Sequence, residues 1–194
     1  MKGNIPIQLK TRKIIPFKQK ILGMKEIVLG NGMTTQVDDA NFEWLSKWNW
    51  VAMPAGKLHC AGRWPKKKKG QKGNGRVIWM KHEVFGPIPD GMMLDYKDRN
   101  PLNNQLSNLR LADKYQIAHN KGKQKLKNGK PTTSIYKGVS HAPNAKSRPW
   151  AMQITIKGKR YWSAFAEEIE AAKVFDRLAK IHQGEFAVLN FPED

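Results

Sequence analysis

Apolar and polar residues alternate in two-residue steps over three stretches near the carboxyl end: TSIYKGVSHA, PWAMQITIKG and KRYWSAF. A period of two puts alternate side chains on opposite faces of a strand, so this pattern predicts three strands. Met152, Ile154 and Ile156 then form a core face, and the residues between them an outer face. The next segment, EEIEAAKVFDRLAKIHQG, changes to helical spacing, with Ile169, Ala172, Phe175, Leu178 or Ala179, and Ile181 on one side. Its first turn is rich in Glu and Gly184 stops it, as the helix dipole and a left-handed end position favour. Nearer the amino end, KEIVLGNGMTTQVDD reads as two strands joined at Asn31-Gly32, a turn in which both central positions want positive φ. Asp38 or Asp39 can cap a short helix through ANFEWLSKW, whose Phe42, Leu45 and Trp48 share a face. A strand is expected around Leu58 to Arg63, then an exposed loop over PKKKKGQKGNG (65–75), then the apolar VIWM.

Between these patterned regions lies NKGKQKLKNGKPTTS (120–134), basic and without an apolar period. It reads as a linker, and a flexible chain of this length spans roughly 20 Å. The chain thus divides into a basic tail (1–24), a central module (25–120), the linker (121–134) and a carboxyl-terminal module (135–194). The fold class expected is α+β.

Charge then narrows the function. The 194 residues carry 35 Lys and Arg against 16 Asp and Glu, a formal net charge of +19. From Lys114 to Ala166 there are twelve Lys and Arg and no acid, and residues 1–23 hold six more with none. Such self-repulsion is relieved by a polyanion, and the glycines and prolines of the block break the amphipathic helix that a membrane surface would want. Nucleic acid is the expected partner. Trp44, Trp48 and Trp50 read as core, with base stacking as the alternative, and the 65–75 loop as a solvated loop or a phosphate contact. No apolar run is long enough to span a bilayer, and the single cysteine, Cys60, precludes an internal disulfide and a Cys-x-x-Cys zinc site. An intracellular setting, the cytoplasm of a bacterial host or phage-infected cell, is expected, and no protein partner is evident.

Tyr136-Lys-Gly-Val139, the Trp150-Ala-x-x-Ile strand, Phe165 before Glu168-x-x-Ala-Ala-x-x-x-Asp176, and Phe186-Ala-Val-Leu-Asn-Phe-Pro192 resemble the plant ethylene-response-factor (ERF, APETALA-type) DNA-binding domain over about 60 residues. The resemblance implies a three-stranded sheet in the major groove with a helix packed behind it. It puts Lys137, Lys146, Arg148, Trp150, Gln153, Thr155, Lys157, Lys159, Arg160 and Trp162 at the DNA. Their chemistry agrees: Lys and Arg meet phosphate or guanine, Gln pairs with adenine, and Trp packs on sugar or a thymine methyl. Lys137 stands where that family has Arg, which loses the guanidinium fork, and Ser163 where it usually has Gly.

Residues 80–120, WMKHEVFGPIPDGMMLDYKDRNPLNNQLSNLRLADKYQIAHN with its initial Trp79, resemble an HNH endonuclease of phage and mobile introns, and the likeness extends back to about residue 25. It implies a ββα-metal motif: an Asp-His strand, an Asn-Leu-Arg strand, and a helix giving the last ligand to a divalent ion, usually Mg²⁺. The Asp position is Asp95, the middle Asn is Asn108, and Asp113 takes a helix cap. The base position is Tyr96, a phenol with a pKa near 10 that is protonated where imidazole could accept a proton. Loss of a general base typically costs 10²–10⁴ in rate. The helix ligand falls on Ile117, with His119 or Asn120 as replacements, and the usual Met-His-Arg reads Met80-Lys81-His82. Turn chemistry accounts for Asp98, Asn100, Asn103 and Asn104. No motif supports a Cys60 nucleophile or a Ser-His-Asp triad.

These residues predict a double-stranded-DNA-binding protein with weak or no cleavage. An active Mg²⁺-dependent nicking endonuclease using Asp95 and Asn108, and an RNA or ribonucleoprotein binder, are the alternatives.

Overall fold

A computed structural model describes residues 23–66, 70, 73, 75–127 and 129–192. Most of the expected basic tail, and much of the 65–75 loop, lie outside the described residues. The rest is α+β, in small antiparallel sheets with short helices.

The amino-terminal hairpin pairs β1 (Met24–Val28) with β2 (Thr34–Asp38). Its turn differs from expectation. Gly32 has φ +82, but among described non-glycine residues only Arg99 and Lys157 have positive φ, so Asn31 does not. The Leu29 N–H donates to the Met33 carbonyl at 2.7 Å and the Gly32 N–H to Leu29 O at 2.9 Å, the bonds of a three-residue connection with glycine in the left-handed place. Helix α1 (Asp39–Leu45) follows. Asp38 stands at its cap position without capping it: its carboxylate accepts the Leu106 N–H at 2.8 Å and so ties the hairpin to the centre of the module.

Strands β3 (Val51–Ala55), β4 (Leu58–Arg63) and β5 (Ile78–Trp79) form a second sheet, from which α2 (Met80–Phe85) leads away. Ile27, Leu29, Val37, Leu45, Trp50, Ala52, Ala61 and Met80 make one core. Trp50 is inside it, donating from Nε1 to Leu45 O at 2.9 Å. Trp44 and Trp48 pack on its edge, and the Arg63 guanidinium covers the Trp48 ring at 3.9 Å, so this ring face is used within the fold.

Next comes the ββα unit: β6 (Met93–Tyr96), β7 (Leu109–Ala112) and α3 (Lys114–His119). Asp113 caps α3 as the sequence suggests, accepting from the Tyr115 and Gln116 N–H groups while Gln116 returns a bond to the Asp113 N–H. The connecting segment is not wholly irregular, since β8 (Leu126–Lys127) pairs with β9 (Lys130–Pro131).

The carboxyl-terminal module follows its alternating pattern: β10 (Val139–His141), β11 (Trp150–Ile156) and β12 (Lys159–Phe165) in sequential antiparallel order, backed by α4 (Glu168–Gln183). Val139, Met152, Ile154, Ala171, Ala172, Phe175 and Ala179 form the second core. Ile169 and Ile181 remain outside, exposed at 51% and 73%. The face that packs on the sheet is instead the small-residue face, Ala171, Ala172 and Ala179 around Phe175, which lets helix and sheet approach closely. The closest approach is at Gly138, φ +75, where an added Cβ would lie 2.1 Å from a Phe175 ring carbon. Asn190 locks the last segment. Its side chain exchanges hydrogen bonds with the Lys137 N–H and C=O, and the buried Asp176 carboxylate accepts from the Asn190 and Phe191 amides.

Candidate nucleic-acid interface and nuclease-like centre

In the ββα unit, β6 presents Asp95 and Tyr96 to opposite sides. Asp95 is 8% exposed. Its Oδ2 receives Arg110 Nε at 3.0 Å and Asn120 Nδ2 at 2.9 Å, with Arg110 Nη2 also 2.9 Å away but not aligned as a donor. Asn120 gives a second bond to the Tyr96 carbonyl at 2.7 Å. Arg110 continues outward: Nη1 donates to Glu185 O at 2.6 Å and approaches Glu185 Oε2 at 3.3 Å, and the guanidinium lies 3.8 Å over the Phe186 ring. The Asp95 carboxylate is therefore the inner end of a joint between the ββα unit and the segment that follows α4.

Tyr96 is buried, its hydroxyl 3.4 Å from Asn104 Oδ1, with Lys81 Nζ 5.3 Å over the ring. Burial, then the neighbouring Cys60 and Asp98, hold its pKa far above the usual tyrosine range. Burial likewise raises the Cys60 thiol and lowers Lys81, whose ammonium points to Leu94 O at 3.4 Å. Asn108 does not reach Tyr96. It receives the Asp98 N–H and donates to Asp98 Oδ1 and Asn103 O, pinning the 97–104 loop. Within that loop Asp98, Asn100 and Asn103 make local side-chain bonds to backbone, the turn chemistry expected of them. Asn104 is fully buried against Thr35 and Pro101. Ile117 lines an open cleft of about 620 Å³ with Lys81 and His82. The His119 pKa is lowered by burial and by Lys137, whose Nζ donates to the His119 carbonyl at 2.6 Å.

In the carboxyl-terminal sheet, strand pairing sorts the candidates. Gln153 lies opposite Trp162 and Thr155 opposite Arg160, all exposed on the face away from α4, with Trp162 at 72%. Trp150 has the other parity: it sits with Met152 and Ile154 against the core, its ring 4.8 Å edge-on from His141. Lys157 leaves the alternation altogether. With Gly158 it forms the two-residue turn to Lys159, both at positive φ, +48 and +80, as a type I′ turn needs. Lys159 lies opposite Ile156, on the helix-side parity but exposed, and Lys146 and Arg148 are exposed in the loop before β11. Lys137 is turned inward to the module junction.

Two comparisons bear on this arrangement. The HNH endonuclease family profile matches residues 75–119, from β5 to the end of α3. Protein 3.8 of Escherichia phage T7 is 32% identical over 120 residues, 62% of this chain and 93% of that protein. The chain belongs to the protein 3.8 family. No solved structure matches it.

Within this protein 3.8 relative, the HNH endonuclease domain therefore coincides with the ββα unit, and the donors gathered there can be tested against the divalent ion that HNH nucleases use. They do not fit it. One oxygen of Asp95 is already enclosed by Arg110 and Asn120, both N–H donors, and Asn120 turns its Nδ2 toward the carboxylate, the wrong group for sharing a cation. The third place is the hydrocarbon of Ile117. Among the described residues, no three His, Cys, Asp or Glu side chains gather as a cation site, and no helix is long and apolar enough to cross a membrane.

Arg110 and Glu185 were not singled out by sequence reasoning, and Lys81 entered it only as part of the altered Met80-Lys81-His82 stretch. Arg110 stood inside the quoted Asn-Leu-Arg motif, but its partner Glu185 is 75 residues away and unreachable by spacing.

Proposed function

We propose that this protein 3.8 relative is a duplex-DNA-binding protein whose HNH centre cleaves weakly or not at all, working inside a phage-infected cell. The carboxyl-terminal module, 135–194, is its ERF-type reader. The observation that carries the binding half is the outer sheet face, where Gln153, Thr155, Arg160 and Trp162 stand together without a structural task in a stretch, 114–166, that holds no acid. An aromatic ring, a guanidinium and an amide on one pleated surface supply apolar, phosphate and base-edge contacts together. Lys146 and Arg148 extend the positive charge along its rim.

The cleavage half is supported by two replacements and one ion pair. A buried tyrosine whose phenol stays protonated cannot serve as general base near neutral pH. The carboxylate that would hold the metal is neutralised by Arg110, and the helix ligand is Ile117. Each arrangement favours a packed joint over a hydrated ion.

The test is fluorescence anisotropy with a duplex oligonucleotide across a salt series. Neutralising about six phosphates gives a log K against log salt slope near −5. A slope near zero would remove the electrostatic basis of the reading, and preferential binding of an RNA duplex would reassign the partner.

A further inference from the structure

A second cleft lies where the connecting segment meets the reader sheet. Its volume is about 520 Å³, and Lys123, Gln124, Thr132, Lys137, Ser140 and Gln153 line it without a carboxylate. Arg99 stands behind. Its Nη1 is packed against Gly122 so closely that an added Cβ there would lie 3.0 Å from it. Three cations from three parts of the chain thus converge: Arg99 from the HNH loop, Lys123 from the connecting segment and Lys137 from the reader.

The local charges are poorly balanced. Burial and then Arg99 push the Lys137 pKa down to about 8, against the opposing pull of Asp176. Asp176 is itself engaged by the Asn190 and Phe191 amides. Lys123 is lowered by burial, with Glu168 opposing. One Lys137 N–H goes to the His119 carbonyl, which leaves two further donors on the same ammonium. Desolvated like charges held together in a concavity are disfavoured unless an anion enters.

The position of the cleft says which anion. Ser140 and Gln153 belong to the outer face of the sheet, so the cleft opens directly beside Trp162 and Arg160. A nucleic-acid strand crossing that face continues into it. The geometry points to a backbone-phosphate seat in this cleft, in which Lys123 and Lys137 hold one phosphate of bound duplex DNA, with Arg99 behind them. The seat rests on the DNA-binding reading and adds to it: a phosphate bound there touches both modules, so the HNH domain and the reader engage the duplex as one body.

The test uses the full chain and a random-sequence 20-base-pair duplex, comparing wild type with Lys123→Gln, Lys137→Gln, the double variant, Arg160→Gln on the sheet, and Lys47→Gln as a remote single-charge control. Because the two lysines share one phosphate, each single variant weakens binding more than Lys47→Gln does. The double variant lowers the salt slope by about 1, not 2, and equally on unrelated sequences. A double variant with the slope of Lys47→Gln, while Arg160→Gln still weakens binding, overturns the seat and leaves the DNA-binding reading standing. A wild type without salt-dependent binding removes both. Should Lys137→Gln disturb folding, Lys123→Gln decides alone, and affinity equal to that of Lys47→Gln overturns the seat.

Discussion

Asp95→Asn separates a metal ligand from a structural joint. The substitution keeps shape and removes one charge, leaving the Arg110 guanidinium buried at 9% side-chain exposure. Its remaining acidic neighbour is Glu185, 3.3 Å away but 68% exposed and therefore weak compensation. Breaking a buried ion pair from one side costs about 3–5 kcal/mol, since the surviving charge stays desolvated. The carbonyl of Glu185, still 2.6 Å from Nη1, puts the expected loss at the lower end, about 3 kcal/mol. At about 2–4 °C per kcal/mol for a chain of this size, Tm falls by about 6–12 °C in calorimetry. The double variant Asp95→Leu/Arg110→Met, which removes both charges, recovers most of that loss. An acid held open for a metal behaves oppositely, because removing such groups is usually neutral or stabilising. An unchanged or raised Tm in Asp95→Asn would refute the joint.

Gly138→Ala forces a methyl into the Phe175 ring at positive φ, and backbone strain with overpacking should lower stability by roughly 2–5 kcal/mol in urea denaturation; a loss under about 1 kcal/mol contradicts the close approach. Lys137 carries its charge at a depressed pKa of about 8. Between there and the ordinary lysine range the unfolded chain binds more protons, so stability contributed by this group rises as pH climbs from about 8 to 10. The wild-type minus Lys137→Met difference in Tm isolates that slope, and a difference flat with pH argues against burial of the ammonium. Trp162→Ala should leave Tm unchanged and weaken duplex binding about tenfold, or about 1.4 kcal/mol; unaltered affinity would take the sheet face out of the interface. Tyr96→Phe removes the hydroxyl facing Asn104 Oδ1 and should cost about 1 kcal/mol in urea denaturation without changing DNA affinity; a loss of duplex affinity would put Tyr96 in the interface.

Much of the carboxyl-terminal module was legible in the sequence because its strands alternate cleanly and Met152 and Ile154 had to face a helix. The same alternation, followed strictly, separates Trp150 from Gln153; grouping them by motif position obscured that parity. Lys157 could not be placed by alternation, since a two-residue turn consumes it. At the nuclease-like centre, the replacements at Tyr96 and Ile117 were visible as residue identities. What Asp95 does was not, because its charge is balanced by Arg110, which is held in turn by Glu185, 75 residues further along the chain, a contact with no periodic or local signature. The turn role of Asp98, Asn100 and Asn103 was legible for the opposite reason: the bonds they make within the loop reach two to five residues along the chain.

The most direct measurement is a supercoiled-plasmid assay with Mg²⁺ or Mn²⁺, run beside gel-shift binding of the same protein preparation. The account predicts retarded DNA that remains supercoiled after the protein is removed, for wild type and Asp95→Ala alike. Nicked circles that appear with the metal and vanish in Asp95→Ala would contradict it.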